Sequence, residues 1–278
     1  MIASERLYPI RRPLAAVSAG AAVAMLGGLI GLGGAELRLP ILIGVFALFA
    51  HRAIRINLLI SLATLAISAV ARLGFLGSTN AYDFRIEMVG LLVGGVIAAW
   101  IGAGLLKHIP KAKMMSVIAA LLLLTATLLG FEALWAPHGQ WSALASDSVL
   151  RPFVAVAAGL TIGAISSMLG VAGGEFLIPT LVFMFGADIK TAGTASVLVS
   201  IPIVLTGVGR HWMTGHYQSQ TMLIYLALPM AIGSGIGAGM GGYLAAWAPT
   251  DALRLLLAVI LAASAVKLWS KNEPPQQS

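Results

Sequence analysis

Two glutamates have the most chemistry to offer, because each stands at a glycine break in an otherwise apolar stretch. The first stretch reads Gly31-Leu-Gly-Gly-Ala-Glu36-Leu-Arg38-Leu-Pro40, and the second reads Gly170-Val-Ala-Gly-Gly-Glu175-Phe-Leu-Ile-Pro179, in the same register without a gap. An ionisable group inside a membrane element is a functional candidate by default. A glutamate in the first turn of a short helix also satisfies free N–H groups and the helix dipole, so transport and capping both fit. Arg38 has no counterpart in the second copy, where Leu177 stands. It either attracts an anion or neutralises Glu36. Unpaired N–H groups at helix starts suit an oxyanion, which makes Gly31, Gly33, Gly34, Gly170, Gly173 and Gly174 candidate contacts for a substrate. Pro40 and Pro179 read as fresh helix starts after each break. Asn57, Ser61, Thr194 and Ser196, with Ser200, lie on the apolar elements that follow and complete the candidate substrate site.

Other chemistries find little support. His51, His108, His138, His211 and His216 fall in or near expected loops and lack metal-ligand spacing, so no metal and no cofactor is expected. No nucleophile motif, Walker loop or dinucleotide fingerprint occurs, and the chain does not read as an enzyme. Glu132 is expected near a helix end, at the interface beside Trp135.

Those residues need elements to hold them, and composition says in which solvent. Apolar residues make up 59% of the 278 positions, charged residues 10%, and mean hydropathy is +0.95. Soluble domains carry about 25% charged residues, so this is an all-α polytopic membrane protein. The net charge of +7 reads as loop lysines and arginines on the cytoplasmic side rather than a nucleic-acid surface. The absence of cysteine excludes disulfides and thiolate chemistry. Arg6, Arg11 and Arg12 ahead of the first apolar run read as the flank of an uncleaved first helix.

Apolar elements are expected at 14–32, 39–50, 56–74, 87–106 and 114–134, then at 152–170, 178–187, 191–209, 219–246 and 252–269. A loop over 135–150 separates an N-terminal repeat (1–134) from a C-terminal repeat (151–278) of one membrane domain. The halves match at the glycine breaks, at Ser61 and Ser196, and at Ile101-Gly-Ala-Gly104 and Ile236-Gly-Ala-Gly239. With a cytoplasmic N-terminus, eleven lysines and arginines fall inside and five outside, the latter including Arg72, Arg85, Arg151, Lys190 and Arg254. Five elements per half then make the second half run opposite to the first, an inverted 5+5 repeat of the kind secondary transporters use. Both termini are placed in the cytoplasm. Elements 39–50 and 178–187 are short for a hydrocarbon core of about 30 Å; they are either half-helices or oblique crossings. The two breaks are expected to meet, with Glu36, Arg38 and Glu175 close to one cavity. Glycines such as Gly90, Gly94, Gly233, Gly237 and Gly241 have the spacing of close helix packing.

Gly170 to Pro179, followed by Phe183-Met-Phe-Gly-Ala-Asp-Ile-Lys190-Thr-Ala-Gly-Thr-Ala-Ser196, resembles the sulfite exporter TauE/SafE family. Gly31 to Pro40 resembles that family's N-terminal counterpart. Where the family often has three successive glycines, this chain has Gly33-Gly34-Ala35 and Ala172-Gly173-Gly174. The resemblance implies export of a small sulfur-containing anion, sulfite or an organosulfonate, across a bacterial inner membrane, with coupling to protons. A passive anion channel, or a transporter of another small anion, is the alternative.

Overall fold

The computed structural model describes residues 13–76, 79–105, 111–135, 143–144, 148–169, 171–213 and 222–270. Secondary structure among them is entirely helical. The first set comprises α1 (Pro13–Ile30), α2 (Ala35–Gly44), α3 (Ala50–Leu76), the single turn α4 (Thr79–Tyr82), α5 (Arg85–Leu105) and α6 (Lys111–Trp135). The second comprises α7 (Arg151–Leu169), α8 (Gly174–Pro179, running on as a π-helical turn, Thr180–Met184), α9 (Ile189–Met213), α10 (Leu228–Trp247, preceded by a π-helical turn, Leu223–Ala227) and α11 (Thr250–Ser270). Apart from the turn α4, that is five helices and five more.

The short elements are displaced from where the sequence puts them. Both begin four residues earlier, directly at the glycine breaks, and both end earlier. Pro40 and Pro179 are therefore inside their helices and not at the starts. The reason lies in the glycines. Gly34 (φ 73°) and Gly173 (φ 79°) adopt the left-handed conformation that a glycine takes without steric cost, and each redirects the chain so that the helix starts at the next residue. A proline at the sixth helical position removes a bond the helix would otherwise make, because it has no N–H for the carbonyl four residues back. Those carbonyls belong to Glu36 and Glu175. At 1.5 Å per residue each short segment is about 15–17 Å long, half of a hydrocarbon core of about 30 Å.

The duplication extends to single main-chain hydrogen bonds, at a constant offset of 139 residues. Helix α1 closes with Leu32 N–H on the Gly27 carbonyl (2.9 Å), and α7 closes with Val171 N–H on the Ser166 carbonyl (3.2 Å). The short helices close alike, Leu48 N–H on Leu42 and Ala187 N–H on Leu181, both at 3.0 Å. The residue before each of these last donors is left-handed: Gly186 (φ 78°) in one half and Ala47 (φ 53°) in the other.

Packing follows the same exchange of halves. Helix α1 lies on α10 and its equivalent α7 lies on α5; α3 meets α9, and α6 meets α11. The α5–α7 contact carries an ion pair between Arg151 Nε and Glu87 Oε1 (2.7 Å). Across α6–α11, Arg254 pairs with Glu132 at 3.3 Å, so Glu132 is an inter-helix partner and not merely an interfacial residue. By length and composition four described helices can cross a membrane: Pro13–Ile30, Arg52–Leu76, Ile189–Met213 and Leu223–Trp247. Leu124, Phe131, Ile236 and Val259 stay more than half exposed on the outside of the bundle, as a lipid-facing surface requires.

The left-handed positions differ in residue type, and that difference is measurable. A non-glycine residue in this conformation costs about 1–2 kcal/mol. Gly186→Ala should lower stability by about 1 kcal/mol, and Ala47→Gly should leave it unchanged or raise it by up to about 1 kcal/mol. Thermal unfolding of the purified protein in one detergent checks both; equal losses from the two substitutions would contradict the assignment.

Candidate functional site

The two breaks meet. A Cβ placed on Gly174 would stand 3.0 Å from the Cα of Leu32, and one on Gly33 would stand 4.0 Å from the Cβ of Ala172. Gly31 packs backbone to backbone on Gly193 of α9, where a Cβ on either residue would strike the other strand of main chain. Ala35, Val171 and Ala172 then share one buried cluster with Leu65 of α3 and Val197 and Val204 of α9. Irregular backbone at membrane depth survives only where protein covers it, and here each break is covered by the other.

Helix α3 faces this crossing with a polar stripe. Asn57, Ser61, Thr64, Ser68 and Arg72 recur at intervals of three or four residues, and all are fully buried. That spacing keeps them on one helix face. Arg38, also fully buried, reaches into the upper part of the stripe. It donates to Asn57 Oδ1 (3.4 Å), Ser61 Oγ (3.1 Å), Thr64 Oγ1 (3.1 Å) and the Gly33 carbonyl (3.3 Å). Asn57 in turn donates to the Ala35 carbonyl at 3.0 Å, which fixes the first residue of α2. Every one of these acceptors is neutral, and Arg38 Nε has no partner among the described residues. No ion pair forms between Glu36 and Arg38, so neutralisation by direct contact does not occur. Both carboxyl oxygens of Glu36 are shut off from solvent and without a hydrogen-bond partner among the described residues.

The charge count places Arg72 among the far-side charges, at the end of the element expected over 56–74. It is instead buried inside the bundle, where it ties the halves together. Its guanidinium donates to the carbonyls of Gly28 (2.7 Å) and Leu29 (3.2 Å) at the end of α1. On the other half it donates to the Lys190 carbonyl (3.0 Å) and Thr194 Oγ1 (3.2 Å). The last carbonyls of α1 lack helical partners, and a cation placed there satisfies both the hydrogen bonds and the dipole. Asp188 Oδ1 caps α9 through the N–H groups of Lys190 (3.0 Å) and Thr191 (3.1 Å), which holds the start of α9 in place for Arg72. Thr64, Ser68 and Arg72 were absent from the candidate set. The signal for them was present: polar residues spaced as a helical stripe through an apolar segment.

The second break is built differently. Leu177 replaces Arg38, and among the described residues the hydroxyls of Ser166 on α7, Ser196 and Ser200 on α9 and Ser68 on α3 are buried with no partner. Ser166 lies against Gly173. Glu175 and Pro179 line a cavity of about 310 Å³ between α6, α7 and the α8 segment. Neither Glu36 nor Arg38 lines it, so the three charged residues of the breaks do not share this cavity. The cause is the local fold: the second short helix puts its second residue toward α6 and α7, while Arg38 turns toward α3. Gly170 lies outside the described residues, as do His108, His138 and His216. No group of three or more potential metal ligands occurs among the described residues.

Comparison with protein-family models matches residues 16–268 to the family described as sulfite exporter TauE/SafE. Among curated proteins and among solved structures nothing matches.

The crossing of main chains makes a sharp prediction on one helix. Gly193→Ala forces a methyl into the Ile30 carbonyl and the Arg72 guanidinium, and should cost about 2–3 kcal/mol by overpacking. Gly209→Ala, on the same helix with nothing within 4 Å of its would-be Cβ, should be neutral or slightly stabilising. Paired melting curves of the two variants decide it, and a harmless Gly193→Ala would mean the halves do not touch there.

Proposed function

The chain belongs to the sulfite exporter TauE/SafE family, a family of membrane transporters, and from that premise we propose that it moves a small sulfur oxyanion through the crossing of its two glycine breaks. The observation that carries this reading is Arg38: a fully buried cation held by four neutral acceptors, with Nε unfilled. A buried charge without a paired partner is expensive, and an arriving anion offsets that cost. Further along the same stripe of α3 the Ser68 hydroxyl is buried without a partner among the described residues, and so is Ser166 beside Gly173 of the second break; such donors suit a ligand made of acceptors.

In this reading Arg38 supplies the charge, and Asn57 and Ser61 keep it in place. Gly31, Gly33, Gly34, Gly173 and Gly174 bring main chain close to the anion, with Gly170 in register. Pro40 and Pro179 set the paths of the short helices. Thr194 and Ser196 contribute hydroxyls from the opposite half, although Thr194 is already engaged with Arg72. Glu36 and Glu175 carry the coupling. An ionised glutamate two residues from Arg38 would repel the substrate, whereas a protonated one would not, so proton and anion movements become linked. The halves, 1–134 and 151–278, rock about the crossing to expose the site to each side in turn, in the inner membrane with both termini cytoplasmic. A passive anion channel shares the glycine-lined crossing but needs no titrating carboxyl.

Proteoliposomes separate these. With the intact protein, a pH gradient should drive sulfite against its own gradient. Arg38→Gln should reduce flux at least tenfold, about 1.4 kcal/mol or more in transition-state terms, with the protein still folded. Glu36→Gln and Glu175→Gln together should abolish the dependence on the pH gradient. Flux that only follows the sulfite gradient would favour the channel, and unchanged pH dependence in the double variant would rule out coupling through the glutamates.

A further inference from the structure

The cavity beside Glu175 has few polar groups in its lining. Glu175 is the one ionisable group among its described lining residues, and it is joined by Thr125 of α6, Thr161 of α7 and Thr180 of the π-helical turn. Thr125 already donates its hydroxyl hydrogen to the carbonyls of Leu121 (3.0 Å) and Leu122 (2.9 Å). Thr161 donates to the Ala157 carbonyl at 2.9 Å. With those hydrogens committed, the two hydroxyls offer the cavity only lone pairs. The rest of the lining is apolar apart from these groups, and the mouth is open: Leu121 and Leu128 are 46% and 44% exposed, and Thr161 is exposed beside them. At about 310 Å³ the space is far larger than an ion needs and sits at the lower end of ligand pockets, about 300–1,000 Å³.

One carboxyl group beside two hydroxyls that present only lone pairs favours a ligand that donates and carries positive charge; an apolar surround that opens toward the exposed Leu121 and Leu128 favours an apolar body. We propose that this cavity is a binding site for a small cationic amphiphile, a protonated primary amine on a short alkyl chain, with its ammonium on Glu175 and its chain between α6 and α7. The cavity takes in Glu175, to which the coupling role is given above, but neither Glu36 nor Arg38, and both oxygens of Glu36 are enclosed in the first half. The proposal stands on the chemistry of the cavity wall and does not depend on the transported substrate.

The full-length protein in lipid nanodiscs can be titrated calorimetrically with n-hexylammonium, n-hexanol and hexanoate at constant ionic strength. Hexylammonium should bind at least tenfold more tightly than hexanol, and hexanoate should not bind. Glu175→Gln should weaken hexylammonium binding at least tenfold, Thr161→Val should weaken it severalfold, and Asp83→Asn on the exposed surface should leave it unchanged. Should Glu175→Gln fail to fold, Thr161→Val and Thr180→Val carry the same comparison. Equal affinity of wild type and these variants, hexanol binding as tightly as hexylammonium, or complete displacement by sodium ion alone at equimolar concentration would overturn the proposal.

Discussion

A main chain that leaves the helix inside a membrane must find its hydrogen bonds and its cover within the protein, and the rest of this structure depends on how that need is met. The two breaks meet it together. The second break sits against the first, Gly174 on Leu32 and Ala172 near Gly33, while Gly31 packs on Gly193 of α9. Such contact is possible only where side chains are absent. The glycines are thus required twice over, by the left-handed turns at Gly34 and Gly173 and by the approach of one backbone to another. The exchange of halves in the outer packing, α1 on α10 and α7 on α5, then carries this central contact outward to the surface of the bundle.

Two buried arginines divide the polar work. Arg72 joins the halves, linking the open carbonyls of α1 to the capped start of α9. It has acceptors on both sides and is a structural tie. Arg38 is different. Its bonds stay inside one half, its acceptors are neutral and its Nε has no partner among the described residues, which is the basis for assigning it the anion in the proposed function. The duplication is nearly complete in backbone and incomplete in charge. Leu177 stands where symmetry would put a second arginine, and Glu175 opens on an outer cavity while Glu36 is enclosed. Once the two copies diverge in this way, one break can hold charge while the other supplies hydroxyls.

Much of this was legible in the sequence, and for physical reasons. Apolar length fixes the membrane helices, and the repeated glycine–glutamate–proline pattern marks two broken elements in register. What escaped was of two kinds. The prolines were read as helix starts because proline suits a first turn, but the left-handed glycines had already set the start five residues earlier. Arg72, at the end of the element expected over 56–74, reads as a far-side charge from its position alone. Its burial follows from tertiary contact with Gly28 and Lys190, residues 44 positions before and 118 positions after it, which local pattern does not encode. The stripe from Asn57 to Arg72 was partly visible, and its period would have recovered Thr64 and Ser68. That Glu175 lines a cavity while Glu36 is enclosed could not be read at all, since the two glutamates occupy equivalent positions and differ in what packs around them.

The account rests on Arg38 as the charge that receives the substrate. Calorimetric binding of sulfite to the purified wild-type protein and to Arg38→Lys and Arg38→Gln tests it most directly. The account predicts saturable binding by wild type, weakened binding by the lysine variant, and at least tenfold loss in the glutamine variant with melting behaviour retained. Sulfite bound with undiminished affinity by a folded Arg38→Gln protein would contradict it.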